Sequence, residues 1–252
     1  MNYIRLTKEN LDSEHICCAI SSNKDPQVMS KKAWLRERLD EGLVFLKADA
    51  RGKCFIEYIP AEAAWAPIAA DGYLYIDCFW VSGSLQGHGY ADELLNQCVQ
   101  DAKTAKKKGI CVLSSPKKKS FLSDPQYLKH RGFQVADSAE PYFELLYLPL
   151  AADAKPPVFL PQAKTANCGK KGLTLYYSSQ CPFTAKYVPL LAAAAKERQI
   201  PLELIHFESA AQVKASPAVF SIFSLFYDGK FLTHEIQSEK KFAALCDTLG
   251  KA

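Results

Sequence analysis

The sequence predicts an α/β (α+β) chain: a mixed sheet flanked by helices, followed by a smaller α/β domain. Three observations carry that prediction. Apolar runs of strand length alternate with stretches of helical period. An apolar strand over 73–81 runs into a turn holding Gly83, Gly87 and Gly89, and that turn opens a helix. The pattern then breaks over 151–172 and starts again.

A first strand is expected over 3–6, then a helical region from near Thr7 with Asp12 as cap and a stripe of Leu11, Ile16 and Ile20. A second helix, 30–41, holds Trp34, Leu35 and Leu39 and stops at Gly42. Residues 43–48 and 53–60, separated by a turn, read as a hairpin. After the central strand and the glycine turn, a helix runs to about Lys108 with Leu94, Leu95, Cys98, Val99 and Ala102 at helical spacing, and Gly109 is expected to stop it. A buried strand over 110–114, a short helix over 124–131 ending at Gly132, and strands over 133–136 and 142–148 complete the first domain, 1–150. Residues 151–172 carry three prolines without sustained period and read as a linker. The second domain, 173–252, offers strand 173–177, helix 182–198, strand 202–207, a hairpin over 223–235 turning at Asp228-Gly229, and a last helix over 238–249.

Bulk properties bound the function. At 48% apolar and 23% charged, the 252 residues are those of a globular protein. A net charge of +4 is too small and too dispersed to argue for nucleic acid. No run approaches a membrane span and the first ten residues are no signal peptide, so the expected location is cytoplasmic, with no membrane partner. Nine cysteines lack metal-like spacing, so no metal is expected and most should be packed, reduced thiols.

The glycine turn is the functional signal. Such a turn presents successive backbone N–H groups at a helix N-terminus, where the helix dipole favours an anion such as a phosphate or pyrophosphate. The spacing fails the dinucleotide fingerprint, and the Gly-Lys-Ser/Thr ending of a P-loop is absent. It does fit Gln/Arg-x-x-Gly-x-Gly/Ala, filled by Gln86, Gly89 and Ala91.

In this place and order of elements, the motif resembles the acyl-CoA site of the GNAT superfamily of N-acetyltransferases, across nearly all of residues 1–150. The resemblance implies acetyl-CoA as co-substrate and a small-molecule or peptide amine as acceptor. It implies a pyrophosphate cradle from Gln86, Gly87, His88, Gly89, Tyr90 and Ala91. The backbone of Phe79, Trp80 and Val81 would pair with the pantetheine amides, and the run Lys117-Lys118-Lys119 reads either as a contact to the 3′-phosphate or as a solvated loop.

Transfer requires a neutral amine, so a group must accept its proton. The family's register for a carboxylate base falls on Tyr75, a poor base at neutral pH. Asp77 shares that strand face and Glu57 sits on the neighbouring strand, which makes these two the candidate bases. The register of the family's leaving-group acid falls on Leu128, with Tyr127 one place earlier and so rotated by ~100° around the helix. Tyr127 is the candidate acid, with Tyr142 a second. Trp65, Tyr73, Tyr75, Phe79 and Trp80 are candidates for an acceptor pocket or for core.

In the second domain, Cys181-Pro182-Phe183-Thr184 places a cysteine at a strand-to-helix junction, where the dipole is expected to lower the thiol pKa. This resembles a thioredoxin-like active-site turn, but Thr184 replaces the second cysteine, and Ser221 stands where a cis-proline is usual. A dithiol cycle by Cys181 alone is therefore excluded; binding or homodimer contacts are the expected use, with a monothiol oxidoreductase centred on Cys181 as the other reading. The two halves together resemble the YoaP-type acetyltransferases. The expectation is direct acetyl transfer to a primary amine. The alternative is an acyl-CoA-binding regulator with little turnover.

Overall fold

The structure is a computed structural model that describes residues 1–19 and 21–249; Ile20, expected on a helical stripe, and residues 250–252 lie outside the described residues. The first half runs β1 (Tyr3–Arg5), α1 (Pro26–Leu39), β2 (Val44–Ala48), β3 (Cys54–Pro60), β4 (Ile68–Ala69), β5 (Tyr73–Val81), α2 (Tyr90–Thr104), β6 (Gly109–Ser114), α3 (Pro125–His130), β7 (Gln134–Ala139) and β8 (Phe143–Pro149). Seven of these strands form one mixed sheet in the order β1-β2-β3-β5-β6-β8-β7.

Two expectations need correction. Residues 7–19 form turns rather than a helix, although Leu11 and Ile16 are fully buried. Burial held there by a coil looks, in sequence, like a sparse helical stripe. The first helix instead begins at Pro26, where Asp25 accepts the N–H of Gln27 at 2.9 Å and the proline supplies a preset φ. The second correction concerns Gly109, which opens β6 while α2 has already ended at Thr104. A Cβ at Gly109 would sit 2.5 Å from the Leu148 carbonyl and 2.6 Å from the Tyr73 ring, so close packing explains this glycine.

The two faces of the sheet are covered differently. Phe45, Phe55, Ile59 and Tyr75 face the α1 side, while Leu46, Ile56, Tyr58 and Ile76 face α2. The alternation slips at one place. Tyr58 pairs with Ile76 and Glu57 with Cys78, which leaves Asp77 as an extra residue without a ladder partner. Such a bulge bends its strand and re-aims side chains. Beyond it β5 also leaves β6: the parallel pairing runs only from Tyr73 to Ile76, while β6 continues against β8. The edge of β5 from Asp77 to Val81 is thus open on that side.

Residues 151–172 lie against this first half. β9 (Val158–Phe159) pairs with β4, Phe159 and Ala163 are buried, and Tyr73 donates its hydroxyl to the Lys155 carbonyl at 2.8 Å. The second half runs β10 (Leu173–Tyr177), α4 (Pro182–Glu197), β11 (Leu202–His206), α5 (Ala210–Ala215), β12 (Phe223–Tyr227), β13 (Lys230–Thr233) and α6 (Glu239–Leu249). Its sheet has the order β11-β10-β12-β13, with only β10 and β11 parallel. One face packs Leu175, Leu191, Leu225 and Phe242 into its own core. The other joins the α1-side core through Tyr176, Phe220 and Phe226. α4 also packs along α1. The halves are therefore fused by shared apolar burial, which is the dominant favourable contribution in such contacts.

Candidate active site

A cleft of about 890 Å³ opens where β5 and β6 part. One end is the glycine turn. Gly87 and Gly89 have φ of +80° and +78°, and a Cβ at either would meet nothing within 4 Å. Glycine is there for the left-handed backbone, which L side chains adopt only with strain. Among the described residues no backbone carbonyl takes the N–H groups of Gly87, His88, Gly89, Tyr90 or Ala91. Free amides at the start of a fifteen-residue helix form an anion cradle. Gln86 turns back to donate to the Val81 carbonyl at 3.1 Å, and His88 stacks on Tyr90. The first-turn carboxylates do not spoil the cradle, because Asp92 is held by Arg131 and Glu93 by Tyr3.

Along the cleft run Phe79, Trp80 and Val81 from the open edge of β5. Tyr127 stands opposite, on a helix capped by Asp124, with its ring edge-on to Phe79. Its hydroxyl donates to Asp92 Oδ1 at 2.8 Å. Burial, reinforced by that carboxylate, pushes the phenol above its ordinary value. The neighbouring Leu128 is fully buried in the core. Both residues border the cleft, but Leu128 offers no proton, and the hydroxyl there is that of Tyr127. Tyr142 plays no part there: it hydrogen-bonds His234 at 2.8 Å between the two halves.

The floor holds the candidate bases. Glu57 is 1% exposed, and its Oε1 accepts from Lys31 Nζ at 2.7 Å, while Oε2 has no partner. Both carboxylate oxygens of Asp77 are likewise buried without a partner. Burial, then the Glu57 charge, pushes Asp77 well above the usual carboxylate range. Burial also works to lower Lys31, but the Glu57 carboxylate outweighs it and keeps the ammonium charged. Tyr75 is pushed far up by burial, which leaves it no role as a base. Trp65, Tyr73 and Tyr75 belong to the core, so of the aromatic residues proposed for an acceptor pocket only Phe79 and Trp80 reach the cleft.

The second half supplies the far wall, through Gln180, Cys181, Pro182, Phe183 and Ile222. Here an expectation is reversed. Burial pushes the Cys181 thiol up to about 11, overriding the helix N-terminus that was expected to lower it. Thr184 closes the turn by donating to the carbonyls of Ser178 and Cys181. Ser221 donates to the Trp65 carbonyl, and Gln180 donates to Ser221 Oγ at 2.9 Å. Lys31, Cys18, Cys78 and this outer wall were not anticipated. Lys31 reads as a surface lysine beside Lys32, and the wall depends on docking between residues far apart in sequence.

Comparison with known proteins identifies the family. Residues 9–120 match the acetyltransferase (GNAT) family, and residues 201–243 match the YoaP-like family. Over 251 residues the chain is 42% identical to the N-acetyltransferase YoaP of Bacillus subtilis (strain 168), covering 99% of this chain and 100% of that one. The chain belongs to the YoaP-type GNAT acetyltransferases. Solved GNAT structures are more distant. The acetyltransferase of Brucella melitensis in complex with acetyl-CoA is 15% identical, with a TM-score of 0.37, over 60% of this chain and 89% of that one. The acetyltransferase of Elizabethkingia anophelis with acetyl-CoA bound is 15% identical, with a TM-score of 0.39, over 59% and 97%. As a member of the GNAT family, the YoaP-type protein is an N-acetyltransferase with acetyl-CoA as its co-substrate.

Proposed function

We propose that the protein transfers the acetyl group directly from acetyl-CoA to a primary amine, with Asp77 as proton acceptor and Tyr127 as proton donor. The observation that carries this reading is the pair of unpartnered Asp77 oxygens at the floor of the cleft that starts at the glycine cradle. The free amides of residues 87–91 suit the pyrophosphate, with Gln86 and the His88–Tyr90 stack shaping the turn. The open edge of β5 at Phe79, Trp80 and Val81 suits the peptide-like groups of pantetheine.

The amine arrives as an ammonium ion and loses a proton to Asp77, whose raised pKa makes it a stronger base than an ordinary carboxylate. Glu57, paired with Lys31, polarises the same floor. The nitrogen then forms its bond to the acetyl carbon as the carbon–sulfur bond breaks, and the departing thiolate takes the Tyr127 proton; the second proton leaves the new amide nitrogen through water and restores the Tyr127 hydroxyl. Cys181, held as a neutral thiol, takes no acetyl group.

Calorimetry with acetyl-CoA, followed by release of free CoA across a panel of amines, tests this. Binding with amine-dependent release is the expected result, and Cys181→Ser should retain it. Loss of turnover in Cys181→Ser, with acetyl-CoA still bound, would overturn direct transfer. Binding without turnover would leave an acyl-CoA-binding regulator instead.

A further inference from the structure

We propose that the second half of the chain forms the outer wall of the acceptor pocket, and that the acceptor is a small primary amine with an apolar body and no carboxylate beside its nitrogen. This rests on the acetyl-transfer reading above and names the substrate class of that same site.

The floor of the cleft presents two buried carboxyls against a single ammonium. Three oxygens there lack a hydrogen-bond partner: Glu57 Oε2, Asp77 Oδ1 and Asp77 Oδ2. Buried acceptors of this kind require donors. A primary ammonium group brings three N–H donors and one positive charge, which matches both the count and the sign. An acceptor carrying a carboxylate next to its nitrogen would bring a third carboxyl group to this floor. The Lys31 ammonium beside these carboxyls is already bonded to Glu57 at 2.7 Å. Like charges without a partner in a buried site are strongly disfavoured.

Apart from Gln180, the wall that the second half lends to the cleft is apolar. Pro182, Phe183 and Ile222 border the same cleft as the Glu57 and Asp77 floor, and Cys181 lies close enough to that floor to feel the charges of Lys31 and Glu57. Cys181 is a neutral thiol here and behaves as a small hydrophobe. Phe183 is half-buried, with its ring near Lys53 and Tyr187, so it is a wall residue rather than core. The wall is fixed in place by the packing of α4 on α1 and by the hydrogen bonds that tie Gln180 and Ser221 to the Trp65 carbonyl. These contacts give the second half a direct place in substrate selection.

The test compares 2-phenylethylamine, phenylalanine and a short peptide with a free N-terminus, each with acetyl-CoA and the full-length protein. The expected kcat/KM for 2-phenylethylamine exceeds that for the other two by at least about tenfold: phenylalanine brings an unpaired charge to a buried site, and the peptide is too large for a pocket closed by the second half. Phe183→Ala should raise the KM for this amine by about tenfold, Phe183→Leu should restore it, and acetyl-CoA binding should not change. Cys181→Leu, which fills the pocket, should abolish amine turnover while acetyl-CoA still binds. An unchanged amine KM in Phe183→Ala overturns the inference. So does a preference for phenylalanine or the peptide, or a lack of turnover with all three probes while acetyl-CoA binds. Failure of the unmodified protein to bind acetyl-CoA instead overturns the transfer reading, and this inference with it.

Discussion

Lys31 Nζ lies 2.7 Å from Glu57 Oε1, with both side chains no more than 2% exposed, and this contact joins α1 to the middle of the sheet. Pairs this deeply buried lose hydration on both sides, so intactness matters more than net attraction. Lys31→Met strands the Glu57 charge and should cost about 3–5 kcal/mol of stability. The double variant Lys31→Met, Glu57→Gln should recover most of that loss, because no charge is left unpaired. Urea unfolding of the three proteins checks this, and equal losses in the single and double variants would refute it.

Asp77 carries the opposite sign of pH dependence from an ion-paired carboxylate. Its pKa is raised in the folded chain, by burial first and by the Glu57 charge second. Between the ordinary carboxyl value and the raised one, the folded form binds more protons than the unfolded form. Stability should therefore be full below about pH 4 and decline as pH rises through that window. Asp77→Asn removes the decline, so the variant should be more stable than the parent at neutral pH. The same variant should lose about 10²–10⁴-fold in kcat with the acid limb of the pH–rate profile abolished. Denaturation midpoints from pH 4 to 9, with matched rate profiles, are the measurement.

The strand over 73–81 was legible in the sequence because an apolar run of that length, ended by glycines, has few other readings; β5 spans those same residues. The cradle was legible for a related reason, since left-handed backbone is one of the few local conformations that a single residue type announces. Lys31 was hidden because a lysine on an amphipathic helix ordinarily points to water. Its partner Glu57 is on a strand whose register across α1 no local pattern encodes. The bulge at Asp77 was hidden too, since an extra residue in one strand leaves the alternation readable on either side. The docking of Cys181 and Phe183 on the cleft depends on contacts between halves, to which hydrophobic periodicity within each half is blind.

Gly87 gives a test of the cradle that separates backbone strain from lost binding. Its φ is +80°, and space around a Cβ is open. Gly87→Val therefore meets no steric neighbour, but pays about 1–2 kcal/mol for the left-handed conformation or shifts the turn to avoid it. The melting temperature should fall only modestly. The KM for acetyl-CoA should rise by about tenfold or more, because the amides of residues 87–91 no longer converge. The amine KM should hold. A variant that loses stability without any change in acetyl-CoA KM would remove the turn from the cofactor site.

Tyr127 is expected to act late in the reaction, and its environment says how its loss should read out. The hydroxyl is held by Asp92 at 2.8 Å, and Asp92 is itself held by Arg131 Nε at 2.9 Å, so the phenol is fixed in place before any thiolate forms. Its raised pKa keeps it protonated across the working range, as a donor must be. Tyr127→Phe keeps the ring against Phe79 and removes only the proton. It should lower kcat by about 10²-fold with the dissociation constant for acetyl-CoA unchanged. Asp92→Asn, which keeps an acceptor for the hydroxyl but loses the charge facing Arg131, should cost less in kcat. Single-turnover rates separate the chemical step from product release. If Tyr127→Phe slows only release, the proton on the thiolate comes from solvent and the hydroxyl serves to shape the cleft.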